Sequence, residues 1–114
     1  KPGIDEAESL SRIAPLNLEQ QRLELYAMLY QIYQEMNHAR EAVEKLNKQI
    51  IPAAEQMQSD YENGYQSGRY SLLELIQAQQ LLRNSRSQLL EMAVSFHSHK
   101  IEIDRLTGAQ LTQW

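Results

Sequence analysis

Two apolar seams at helical spacing, one on each side of a short glycine-bearing stretch, leave this chain few ways to fold. Leu18, Leu25, Ile32, Ala39, Leu46 and Ala53 recur every seven residues, and Leu29, Met36, Val43, Ile50 and Met57 fall four residues after the corresponding members. Such a 4–3 alternation puts one narrow apolar line on a helix, the pattern of a coiled coil rather than of a broad globular face. Arg22 is the gap in it. The second segment repeats the device, with Leu75, Leu82, Leu89, Phe96 and Ile103 at seven and Ala78, Ser85, Met92, His99 and Leu106 three residues later. No segment alternates apolar and polar residues at period two for long enough to make a strand. The fold class is therefore all-α, a long antiparallel helical hairpin.

The breakers set the boundaries. Pro2 and Gly3 precede Asp5, Glu6 and Glu8, acids suited to the positive end of a starting helix. Gly64 and Gly68 bracket the one stretch rich in glycine and tyrosine, Asn63 to Ser71. Ser71 predicts an N-cap, with Glu74 three residues on completing a capping box. Gly108 is placed as a C′ glycine. One helical hairpin domain is expected over residues 1–108, with a helix over about 4–67, a turn at 68–71, a helix over about 72–107, and a C-terminal tail at 109–114. At the rise of an α-helix the first arm would reach about 95 Å and the second about 54 Å. An interior proline costs about 3 kcal/mol. Pro15 therefore marks either a kink or an end, whereas at Pro52 the seam looks continuous through Ile50, Ala53 and Met57, which predicts a kink with the heptad in phase.

A hairpin this thin has no compact core of its own. Each arm also carries a second apolar stripe: Leu23, Tyr26, Tyr30 and Tyr33 on one, Leu72, Ile76, Leu90, Val94 and Ile101 on the other. Covering these takes further helices, so self-association is expected, with the tyrosines as packing residues.

Composition excludes several function classes. With 11 Lys and Arg against 15 Asp and Glu and a net charge of −4, phosphate neutralisation is not available, so no nucleic-acid partner is expected. There is no cysteine for disulfides or thiolate chemistry. The chain opens at Lys1 without Met or a basic-then-apolar leader, which reads as a processed chain or a piece of a longer one. His97 and His99 diverge by roughly 200° on a helix and His38 faces Ala42 one turn on, so no metal site is expected. Glu41, Glu44, Glu55 and Glu62 lie off the seam on solvated faces. No phosphate loop and no nucleophile with a base is present, which predicts no enzyme and no cofactor.

The run from Gly64 to Gln79, Gly-Tyr-Gln-Ser-Gly-Arg-Tyr-Ser-Leu-Leu-Glu-Leu-Ile-Gln-Ala-Gln, resembles the periplasmic tip turn of the TolC-type outer-membrane efflux proteins. Lys1-Pro2-Gly3-Ile4-x-Glu6-Ala7 is similar to that family's passage from the last barrel strand into the helix. Ile51-Pro52-x-Ala54-Glu55 resembles the mid-helix proline of its heavy-metal (cobalt–zinc–cadmium) branch, and Ile103 to Gly108 resembles the close of a repeat. The resemblance implies the second periplasmic hairpin of a trimeric export channel. It implies docking of a periplasmic adaptor protein through Tyr65, Ser67, Gly68, Arg69, Tyr70 and Ser71, and an inner-membrane pump as an indirect partner. Tyr65 matches the tyrosine of the family's closed-state lock, but Tyr70 stands where the type member has the lock arginine. Two exposed tyrosines and an arginine are interface anchors, against the plainer reading of a turn that merely needs a glycine. The alternative from another class is a free-standing coiled-coil module, such as the hairpin of an adaptor protein itself.

Overall fold

Helix formers dominate both arms, and the computed structural model is helical over its described residues, apart from one turn. It describes the backbone of residues 2–111 and the side chains of residues 17–108. Helix α1 runs Pro2–Lys45, a π-helical turn covers Leu46–Ile50, α2 runs Ile51–Gln66, and α3 runs Leu72–Leu111. The first arm (α1, π-turn and α2) lies antiparallel to α3, in a rod 94 Å long. Helix α1 passes through Pro15 without a break. Gly108 lies within α3, which continues to Leu111, so it is not a C′ cap. The residues of the expected tail beyond Leu111 lie outside the described ones.

The seam of α3 is the expected one. Leu75, Ala78, Leu82 and Ser85 are buried, and Leu89, Met92, Phe96, His99, Ile103 and Leu106 are half-buried. Ser85 is tolerated on this line because its hydroxyl donates to the Leu81 carbonyl oxygen at 2.8 Å. On α1, Ile32, Ala39 and Leu46 are buried, with Leu25, Leu29, Met36 and Val43 half-buried. Leu18 is 60% exposed. The first arm is longer than α3, so Leu18 lies where the described residues offer it little to pack on.

Beyond Leu46 the seam changes phase. Ile51 and Ala54 are 9% and 3% exposed, whereas Ile50 and Met57, expected on the seam, are 36% and 40% exposed. The irregularity at Pro52 therefore takes the form of a wide turn just before it, and the heptad does not continue through Ile50, Ala53 and Met57. The physical reason is the proline ring. In a regular helix it would meet the Lys48 carbonyl and lack the N–H that bonds there. The π-turn, closed by the Ile51 N–H on the Leu46 oxygen, takes up one extra residue. Pro52 then lies in the first turn of α2, where a missing N–H is harmless. The core cluster joins Leu46, Ile51, Ala54 and Leu82, with Leu89 and Met92 packed against it.

The second stripe is bare, as expected of a hairpin standing alone. Leu23, Tyr26, Tyr30, Tyr33, Leu72, Ile76, Leu90, Val94 and Ile101 are all exposed. No helix among the described residues is long and apolar enough to cross a membrane.

Candidate docking site at the hairpin tip

Each backbone N–H from Ser67 to Ser71 has an acceptor. The Ser67 N–H donates to the Asn63 oxygen and the Gly68 N–H to the Tyr65 oxygen, both at 3.1 Å. The Gly64 carbonyl then accepts three bonds, from the Arg69 N–H at 2.7 Å, the Tyr70 N–H at 3.1 Å and the Ser67 hydroxyl at 3.1 Å. Closing the chain back on Gly64 in this way takes Gly68 to φ +78°, the left-handed region that glycine enters without strain. Helix α3 starts with the capping box. The Glu74 N–H donates to Ser71 Oγ at 3.2 Å, and the Ser71 N–H donates to Glu74 Oε2 at 3.1 Å.

Tyr65, Ser67, Gly68, Arg69, Tyr70 and Ser71 are all exposed at one end of the rod. Both serine oxygens are engaged with the backbone, so neither is a nucleophile in waiting. Arg69 is the one charged side chain from Asn63 to Ser71, and among the described residues it has no ion-pair partner.

Two residues that sequence reasoning did not place in the site complete it. Gly64 is buried, and a β-carbon on it would run into Cδ2 and Cε2 of the Tyr70 ring. Tyr61 stacks on Tyr70, with ring centroids 4.4 Å apart and planes 27° from parallel. A tyrosine three residues before a glycine was the available signal. Its meaning depended on the seam's phase, which in the regular heptad would have turned Asp60 inward instead. As folded, Asp60 is exposed and accepts a bond from Gln56 Nε2 at 3.0 Å, while Tyr61 is half-buried.

The histidines lie elsewhere. His97 is exposed and meets Phe96 edge-on at 5.4 Å. His99 packs on the seam, its Nε2 3.4 Å from Glu35 Oε2, while its Nδ1 is buried without a hydrogen-bond partner. Among the described residues no three His, Asp or Glu side chains are grouped to hold a metal ion.

A family model described as outer membrane efflux protein matches residues 2–109. The chain belongs to the outer membrane efflux protein family. Its members are channels and not enzymes, so this hairpin belongs to a part of an outer-membrane efflux channel. Channels of this family are trimers that interact with adaptors. Searches of curated proteins and of solved structures found no match.

Proposed function

We propose that the chain is the second periplasmic helical hairpin of a TolC-type channel of the heavy-metal cation branch, and that its tip docks a periplasmic adaptor protein. In this reading the two arms form part of the export conduit and carry out no chemistry. The observation that carries it is the tip itself. Six exposed residues, among them two tyrosines and an unpaired arginine, sit on a turn whose N–H groups from Ser67 to Ser71 are all hydrogen-bonded, which is a rigid, anchor-rich surface. The exposed stripes fit the same reading, because neighbouring hairpins of a barrel wall would cover them. Assignment to the metal branch rests on Ile51-Pro52-x-Ala54-Glu55.

Gly68→Asp in the full-length channel tests the docking. A β-carbon at positive φ costs on the order of 1–2 kcal/mol. No atom lies within 4 Å of where that carbon would sit, so the hairpin should survive the change. The new carboxylate would instead face the adaptor. Resistance to cobalt, zinc and cadmium salts should be lost while protein level and trimer formation persist. Arg69→Ala and Tyr70→Ala should give milder losses, and Glu44→Ala, in an exposed pair with Arg40, none. Full resistance in Gly68→Asp would overturn the docking.

A further inference from the structure

We propose that Tyr70 is a positioning residue, whose ring, seated on Gly64 and stacked on Tyr61, holds the tip turn in the shape that presents Tyr65 and Arg69 to a docking partner. The inference rests on the docking reading above and names the device that makes the tip rigid. Residue 70 is tied to residue 64 by two independent attachments. Its N–H donates to the Gly64 oxygen, and its ring covers the Gly64 α-carbon so closely that no side chain fits between them. Tyr61 supplies the third contact from one turn further back on α2. A stacked aromatic pair adds to the apolar area it buries, and a residue fixed before binding spares that ordering cost at the interface.

The placement of Tyr61 is itself a product of the π-turn. The extra residue taken up between Leu46 and Ile51 rotates α2 so that Ile51, Ala54 and Tyr61 face α3 in place of Ile50, Ala53 and Asp60. Without it an aspartate would lie where the ring stacks. With the ring laid on Gly64 and Tyr61, Tyr70, 38% exposed, keeps only its outer side for a partner. Tyr70 thus works within its own hairpin, and Arg69 is left as the tip's one cation available to a partner.

The test compares Tyr61→Ala, Gly64→Ala and Tyr61→Phe, with purified periplasmic adaptor protein as the binding probe for the full-length channel. Helicity should be unchanged in all three. Adaptor binding should weaken about tenfold in Tyr61→Ala and Gly64→Ala, the loss expected when one or two interface side chains must be ordered on binding. Tyr61→Phe keeps the stacking face and should bind as the parent does, which a role for the hydroxyl would not allow. In the 114-residue chain the Gly64 α-protons should show upfield ring-current shifts by NMR, and these should vanish in Tyr70→Leu. Two results separate the levels of failure. If Arg69→Ala and Tyr65→Ala leave adaptor binding intact, docking at the tip fails and this inference with it. If those two weaken binding while Tyr61→Ala and Gly64→Ala do not, or if the Gly64 protons are unshifted, the positioning role alone is overturned.

Discussion

The sharpest consequence of the structure concerns the residue count between Leu46 and Ile51. If the seam's phase is set by these two residues with one residue to spare, removing one residue between them should leave the hairpin intact. Consider deletion of Asn47, which is exposed, combined with Pro52→Ala to restore a regular helix. Ile51 would then follow Leu46 by one α-helical step of four, and Ala54, Gln58 and Tyr61 would keep their present faces. The variant should be as stable as the parent or slightly more so, since a regular hydrogen-bond ladder replaces the wide turn. Insertion of one alanine after Asn47 is the opposite case. It rotates α2 by about 100° and turns Ile51, Ala54 and Tyr61 away from α3. Exposing a buried Ile costs about 1.5–3 kcal/mol and losing an aromatic pair about 0.5–1.5 kcal/mol, so a loss on the order of 3 kcal/mol is expected. Urea titration followed by circular dichroism measures both. The chain has no cysteine, so Ala54→Cys with Leu82→Cys reports the register directly by cross-linking, because both positions lie in the core cluster. A deletion variant that loses about 3 kcal/mol, or that cross-links from position 53 instead of 54, would refute the argument.

Four further outcomes follow from the same geometry. The 114-residue chain should self-associate through the bare stripes that include Tyr26, Tyr30, Leu90 and Val94, and light scattering that finds a fully helical monomer at high concentration would contradict this. His99→Leu should raise stability by roughly 1 kcal/mol, since it removes a buried nitrogen that has no hydrogen-bond partner and only Glu102 Oε2 at 4.0 Å, while Glu35 stays solvated; denaturant midpoints decide it. Calorimetry with zinc on the parent should show no binding tighter than that of an exposed histidine, because His97 and His99 point apart. Ser71→Ala should cost about 1 kcal/mol by removing the cap on the Glu74 N–H, read as a lower melting temperature with helicity otherwise retained.

Much of this molecule was legible in the order of its residues. The seam from Leu75 to Leu106 needed only the period of a helix, because a regular backbone converts spacing directly into a face, and no proline interrupts it. The capping box at Ser71 and Glu74 and the positive φ at Gly68 are local as well, each fixed by a few neighbouring residues. Gly108 misled for the converse reason. A glycine permits a helix end but does not compel one, and α3 runs on past it. The tip's composition was also readable, and with it the six exposed residues. What the tertiary structure alone decided was phase. Ile50 and Ile51, like Ala53 and Ala54, are adjacent pairs of the same residue, so the local pattern fits two registers equally well. The choice fell to the clash of the Pro52 ring with a helical carbonyl and to the packing of Tyr61 rather than Asp60 against the other arm. That choice moves Met57 to the surface and sets Tyr61 beneath Tyr70 over a glycine that has no room for a side chain. Periodicity in a sequence fixes which residues share a helix face only while the helix stays regular, and where one residue is inserted the partner helix settles the rotation.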